Sequence, residues 1–323
     1  MMRAASSVAL ACALFAATAA FAQTPNAYPL RPVRMVVPFP PGGATDIIGR
    51  LLGRKMQEVW GQTVVIDNKP GAGTVVGTDF VAKSPPDGYT LGLVVTAHVI
   101  NPALRASMPY DTFKDLAGVT QVSVQHLVMA AYPALEASSI AELIALARRN
   151  PGKLSYATPG SGTAMHLGVE LIKSQTGTDI VHVPYKGGAP AQQDVMAGRV
   201  PILMDVYYAV APLIKAGKLK VIALLSPQRV PATPEYPVVA ETVPGVSALS
   251  MVGIVVPAAT PRELVQRISA DIAKAIRSSD LTERMTQLGM EPVGSTPEQF
   301  DALIRLESDK WAKVIRFSGA MAD

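Results

Sequence analysis

The sequence predicts an α/β chain of two domains, and three observations predict it. Short apolar runs rich in β-branched residues recur along the chain, and stretches with a four-residue apolar period and recognisable ends separate most of them. The length, 323 residues, suits two domains of roughly 100 to 200 residues each. Strands that alternate with helices in this way imply mostly parallel sheets covered on both faces.

Ahead of the first strand, Arg3 precedes an Ala-rich apolar run over residues 8–21, and Ala20-Phe21-Ala22 puts small residues before Gln23. That order reads as a secretory signal peptide, residues 1–22, cleaved after Ala22, with the mature chain in the periplasm. The run is shorter than the ~20 apolar residues of a membrane span. Cys12, the only cysteine, lies inside it behind Ala9-Leu10-Ala11, a poor context for lipid attachment. The expected mature chain has 301 residues, 28 basic against 25 acidic, and no thiol, which excludes disulfides, thiol nucleophiles and thiolate metal sites. Its positive charges are spread along the chain with no basic block, so the electrostatic footprint of a nucleic-acid binder is missing.

Strands are expected at residues 33–37, 63–66, 89–95, 154–157, 180–183, 219–225 and 251–256. Ser139 with Glu142 forms a capping box before Leu143, Ile144 and Ala147, and that helix stops at Asn150-Pro151-Gly152. Thr260-Pro261-Arg262-Glu263 and Thr296-Pro297-Glu298-Gln299 repeat the device with Pro at the first helical position. The stripes Leu264, Ile268, Ile272, Ile276 and Phe300, Leu303, Ile304, Trp311, Val314 give these helices one apolar face each.

Open α/β sheets bind ligands beyond the carboxyl ends of their strands, so the strand-to-helix turns matter most. Strand 33–37 runs into Pro38-Phe39-Pro40-Pro41-Gly42-Gly43-Ala44-Thr45-Asp46, and strand 154–157 into Thr158-Pro159-Gly160-Ser161-Gly162-Thr163-Ala164-Met165-His166. Each sets glycines before a helix N-terminus, whose free N–H groups and partial positive charge favour an anion. Such turns also occur for purely structural reasons. One in each half, however, is what a clamp with two lips requires.

Enzyme chemistry has little footing. Gly160-Ser161-Gly162 lacks the spacing of a nucleophile elbow, which leaves a periplasmic hydrolase acting through Ser161 as the weakest of three functional readings. His98, His126, His166 and His182 show no metal-ligand spacing, so no metal, catalytic residue or cofactor is assigned. His166 reads as a hydrogen-bonding group behind its turn, and His182, in an apolar strand, as a core histidine. Gly71-Ala72-Gly73-Thr74-Val75-Val76-Gly77 is a dinucleotide fingerprint with one residue too many and no acidic residue about 20 positions on. A turn at Asn68-Lys69-Pro70-Gly71, with glycines for close helix packing, accounts for it better.

The run from Pro38 to Asp46, followed by Asn68-Lys69-Pro70-Gly71-Ala72-Gly73, Pro86-Asp87-Gly88-Tyr89-Thr90-Leu91, Val183-Pro184-Tyr185-Lys186-Gly187 and Ala216-Gly217-Lys218-Leu219, resembles the Bug-type periplasmic receptors of tripartite tricarboxylate transporters. Gly289-Met290-Glu291-Pro292-Val293-Gly294 and Thr296-Pro297-Glu298-Gln299-Phe300 extend the likeness over nearly all of the mature chain. The resemblance implies a type II-like periplasmic-binding-protein fold, a Venus flytrap of two α/β domains joined by two crossing strands near Gln125 and Leu249. Domain 1 would comprise residues 23–125 and 250–323, and domain 2 residues 126–249. It implies a monomer that holds a small aliphatic or aromatic carboxylate and hands it to the membrane subunits of a transporter. The same clamp serving as the sensing partner of a membrane signalling protein is the second reading.

Carried over residue by residue, the first lip would comprise Phe39, Gly42, Gly43, Thr45 and Asp46, with Thr96 and Asn101 at the next strand end. The second would comprise Thr158, Gly160, Ser161, Thr163 and His166, joined by Tyr185, Lys186, Gly187 and Asp205. Plain alternatives stand beside three of these. Asp46 suits a helix cap, Lys186 a solvated surface charge, and Asp205 either a ligand acceptor, a holder of water or a tie to a backbone amide. The chain departs from the family at Thr158-Pro159-Gly160-Ser161-Gly162, where Pro159 removes an N–H donor, and at Met204-Asp205-Val206, followed by Tyr207 and Tyr208. These changes suit a flatter or more aromatic carboxylate; tyrosines packed beneath the loop would explain them equally.

Overall fold

The computed structural model describes residues 28–318. The expected signal peptide, its cleavage site and Cys12 lie outside the described residues.

β-Branched runs form the strands at both ends of one long sheet. β1 (Val33–Val37) lies between β2 (Val64–Asn68) and β3 (Thr90–Val95), parallel to both. At the other end β5 (Leu154–Thr158) lies between β6 (Ile180–Pro184) and β7 (Ile202–Val206), again parallel to both. Between these blocks run β4 (Leu116–Ala131), sixteen residues long, and β9 (Leu249–Pro257). The path is β2-β1-β3-β9-β4-β7-β5-β6, with β8 (Lys220–Leu224) and β10 (Met290–Pro292) also paired to β4.

β4 changes partners along its length. Residues 116–126 pair antiparallel with β9, ending at Gln125 opposite Ser250 and His126 opposite Leu249; residues 127–131 pair antiparallel with β7 and β8. The return crossing lies beside the outward one, because Leu225 N–H donates to the Leu127 carbonyl and Ala248 N–H to the Leu225 carbonyl. The expectation of mostly parallel sheets is thus corrected in the middle, where β3, β9, β4 and β7 form an antiparallel seam. A strand that passes from one half to the other needs no helical crossover, and antiparallel pairing follows.

The expected helices are present, and others join them: α1 (Ala44–Trp60), α2 (Val75–Ala82), α3 (Ala97–Leu104), α4 (Ile140–Arg149), α5 (Ala164–Thr176), α6 (Gly188–Met196), α7 (Tyr207–Lys215), α8 (Arg262–Ile276), α9 (Ser279–Gln287) and α10 (Pro297–Ser318). Ser139 Oγ accepts from Glu142 N–H as expected, although the Glu142 carboxylate reaches Ser138 N–H, one residue further out than in a capping box. Thr296 and Gln299 complete a full box. Pro261 is a correction, since it occupies the cap of α8 at ψ 132°, outside the helix. Thr260 is committed to the preceding turn through its N–H bond to the Pro257 carbonyl, which delays the helix by a residue. Among the described residues no helix is long and apolar enough to cross a membrane.

The C-terminal helices pack on the seam. Ile268, Ile272 and Ile276 of α8 and Phe300, Ile304, Trp311 and Ile315 of α10 are buried against it. Gly253 in β9 makes room for Phe300, since a methyl group there would lie 2.0 Å from its Cζ, and Gly118 in β4 makes room for Asp301 and Phe300, since one there would lie 2.5 Å from Asp301 Oδ1 and 3.0 Å from Phe300 Cδ1. Overpacking a filled core costs about 1 to 3 kcal/mol. Gly253→Ala should therefore lower the urea midpoint by that equivalent with an unchanged m-value, measured by equilibrium unfolding.

Candidate ligand cleft

Five strand ends deliver five helix N-termini to one place. β1 leads to α1, β3 to α3, β5 to α5, β6 to α6 and β7 to α7, and residues at the start of each line a single cavity. From one side come Phe39, Gly43, Thr45 and Thr96; from the other, Thr163, Gly187 and Asp205; Gln125 and Ser250 of the crossing strands close the back. The first amides of a helix have no intrahelical partner, so each N-terminus brings unpaired donors and partial positive charge. The cavity has about 30 Å³ of water-sized room, space for a water or two, within a cleft of about 570 Å³ that opens in part to solvent. The two lips therefore stand close together, and a solute larger than a water or two needs them to part.

Direct contact between the turns accounts for the closure. A Cβ at Gly73 would lie 2.6 Å from the Ser161 carbonyl, one at Gly187 would lie 3.1 Å from Pro40 Cδ, and one at Gly43 3.9 Å from Gly188 N. The two glycine turns thus face each other across a shared space.

Several of the residues singled out in the sequence stand behind this surface and tie it. Gly42, at φ 84°, donates its N–H to Asp46 Oδ2 at 3.0 Å. Asp46 is buried and also accepts from Arg50 Nε at 2.8 Å and Asn68 Nδ2 at 2.9 Å. Burial opposes its ionisation, but these hydrogen bonds outweigh burial and hold the carboxyl below its ordinary value. Asn101 is fully buried; it donates to the Gly73 carbonyl at 2.9 Å and accepts from Arg105 Nε at 3.1 Å, fixing the turn before α2. Thr96 lines the cavity while its Oγ1 accepts from Met251 N–H at 2.9 Å.

The second turn is tied in the same manner. Thr163 Oγ1 donates to the Gly160 carbonyl at 2.8 Å and accepts from His166 N–H at 3.3 Å. Thr158 Oγ1 accepts from Gly160 N–H at 3.2 Å and shares a 2.7 Å hydrogen bond with His182 Nε2. His166 Nδ1 accepts from Gly162 N–H, and its ring stacks on His182 with centroids 4.1 Å apart. Gly187 N–H donates to the Pro159 carbonyl at 2.9 Å, binding the α6 turn to the α5 turn.

Gly160, Ser161, Tyr185 and Lys186 line a second chamber of about 380 Å³, together with Arg105, Gly71 and Gly73. It shares Phe39, Pro40 and Pro159 with the cavity, so those three form a neck between the two spaces. Tyr185 donates its hydroxyl to Asp194 Oδ2 at 2.6 Å; burial and that neighbouring carboxylate push its pKa up to about 12. Lys186 is exposed.

Asp205 is fully buried at the cavity wall. Its Oδ2 accepts from Gln192 Nε2 at 2.9 Å and its Oδ1 from Val206 N–H at 2.8 Å. Burial pushes its pKa up to about 6, against the pull of those two bonds. Tyr208 donates its hydroxyl to the Ala44 carbonyl at 2.8 Å and accepts from Gln125 Nε2 at 3.3 Å, bridging α7 to α1 behind the cavity. Tyr207 packs on Tyr236 and Gly289 instead. Sequence reasoning passed over Gln125, Ser250 and Gly188. Gly188 carried a readable signal, a third glycine turn between strand and helix at Gly187-Gly188-Ala189-Pro190. Gln125 and Ser250 carried none, since only the crossing brings them to the cavity. Among the described residues no group of three or more His, Cys, Asp or Glu could hold a metal ion.

The family model described as "Tripartite tricarboxylate transporter family receptor" matches residues 48–319. The chain belongs to this receptor family. The receptor is 37% identical over 312 residues to Protein BugT of Bordetella pertussis, covering 95% of this chain and 96% of that one. It is also similar to an R. palustris protein solved with adipate (TM-score 0.89, 34% identity, 92% of this chain and 100% of that chain) and to MatC from Rhodopseudomonas palustris with bound malate (TM-score 0.85, 28% identity, 89% and 100%). These neighbours share the two-domain periplasmic-binding-protein architecture, which makes the protein a solute receptor of that fold.

Gly73 offers a direct test of jaw contact. Gly73→Ala places a methyl against the Ser161 carbonyl in the shut form, and its φ of 58° adds about 1 kcal/mol of strain in either form. The expected outcome is a larger radius of gyration by small-angle scattering with only a modest loss of thermal stability.

Proposed function

We propose that this receptor is exported to the periplasm after cleavage of residues 1–22, shuts around a small carboxylate and presents it, as a monomer, to the membrane subunits of a tripartite tricarboxylate-type transporter. The halves that close are residues 23–125 with 250–323, and residues 126–249. The convergence of five helix N-termini on one cavity carries the reading.

Among the described residues no Arg or Lys lines the inner cavity, so backbone donors must balance the ligand's charge. Helix ends contribute ~0.3 to 1 kcal/mol each, and hydrogen bonds to a charged group ~1.5 to 3 kcal/mol each. A few of each reach the roughly −8 kcal/mol of micromolar binding even after the cost of immobilising the solute. Contacts to both turns exist only when the jaws are shut, so occupancy favours closure. Arg105 and Lys186 in the outer chamber supply cations for a second acidic group, which favours a dicarboxylate over a monocarboxylate. The adipate and malate held by structural neighbours fit that description.

Calorimetry with adipate, malate, benzoate and hexanoate tests the reading. Binding of at least one of these carboxylates is expected, with adipate tighter than hexanoate; heat from none of them would refute it. Arg105→Ala should weaken adipate by about tenfold, the equivalent of one charge-assisted hydrogen bond, and weaken hexanoate less, by only what its bond to Asn101 contributes to the turn.

A further inference from the structure

The inner cavity presents a conflict of charge. It is read as an anion site, yet the ionisable side chain in its wall is an acid, Asp205, fully buried and lined up with the helix N-termini. Gly188 at the start of α6 lines the same cavity and packs against Asp205 Oδ2, where a Cβ would lie 2.8 Å from that oxygen. Each carboxylate oxygen accepts one hydrogen bond, from Gln192 and from Val206 N–H, and each retains a lone pair.

Among the described residues no Lys or Arg lines the cavity to relieve the conflict. The titratable group that acts on Asp205 electrostatically is the Tyr208 phenol on α7, itself pushed well above its ordinary range by burial and then by Asp205. On β4, His126 is held by Ser226 and Glu291. On α5, Glu170 bonds Lys173 and Tyr156, and His166 faces Gly162 and the His182 ring. On α6, Asp194 is held by Tyr185 and Arg199. Two negative carboxylates in one buried space repel by several kcal/mol, and the ordinary resolution is that they share a proton.

We propose that binding of the ligand's carboxylate draws one proton from solvent onto Asp205, whose carboxylic acid then donates a hydrogen bond to the bound anion. The reading rests on carboxylate binding as argued above. An O–H bond forms on an Asp205 oxygen, the ligand stays a carboxylate, and the site gains one negative charge and one proton together. Receptor occupancy is thereby coupled to proton uptake, and the cleft selects solutes able to accept a hydrogen bond from a neutral acid.

The sign of the pH dependence follows. Burial pushes the pKa of Asp205 up to about 6 in the free protein, and the nearby anion raises it further in the complex. Above about pH 6 the proton must be acquired on binding, so affinity weakens by up to tenfold for each pH unit until the pKa of the complex is passed.

The experiment is calorimetry of adipate and malate in two buffers of different ionisation heat at about pH 7, where the ligands are already fully ionised. The expected result is uptake approaching one proton per site, with a dissociation constant about tenfold larger at about pH 8 than at about pH 7. Asp205→Asn keeps a donor at the site and should abolish both the uptake and the pH dependence. Should that variant fail to fold, Gln192→Leu serves instead: it removes a bond that lowers the acid's pKa, so uptake at about pH 7 should fall and affinity at about pH 8 should rise. Binding to the wild-type protein without proton uptake, or uptake that persists in Asp205→Asn, would overturn the proposal and leave carboxylate binding intact. Absence of binding by both ligands would instead overturn the carboxylate reading, and this inference with it.

Discussion

The antiparallel pairing of β4 with β9 is the constraint on which the rest depends. Two crossings run side by side from one half of the chain to the other, held by main-chain hydrogen bonds from Leu116 opposite Pro257 to His126 opposite Leu249. Because the parallel blocks on either side attach to these strands, the carboxyl ends of β1 and β3 are forced to face those of β5, β6 and β7. The cavity is the space left between them. Its back wall is made by the crossing itself, through Gln125 and Ser250.

The cleft works through backbone more than through side chains. Most polar side chains near it, Asp46, Asn101, Thr158 and His166, spend their hydrogen-bonding capacity on holding turns rather than on facing the cavity. Such turns are rigid because each is tied at both ends, and rigid donors lose little entropy when a ligand arrives. Asp205 is the exception, since its two bonds leave capacity toward the cavity and its burial leaves it easily protonated.

Reading the chain in order recovered much of this. The apolar runs and glycine turns marked both lips, and Thr296 with Gln299 formed the expected cap. β7 and the full length of β4 escaped, because Asp205 interrupts one apolar run and Thr120, Gln121, Ser123 and Gln125 dilute the other. Thr120, Ser123 and Gln125 are nonetheless buried, because the strand is covered on both faces, which no local pattern reveals. Tyr208 was readable as a departure from relatives, but not as a bridge to Ala44, 164 residues away.

The sequence by itself determined most of the outer strands and the capped helices, because period and capping are local, and it marked two turns that could take an anion, because glycine and a helix N-terminus suit one. Only the tertiary structure decided which of the named residues face the ligand space and which brace it. Facing or bracing depends on the crossing that brings Gly73 to Ser161 and Gly43 to Gly188, contacts between residues far apart in the chain. It also decided that Asp205 would sit in the wall of a cavity where, among the described residues, no Lys or Arg lines the space, since the burial that shifts Asp205 is created by packing from α6, α7 and β4 together.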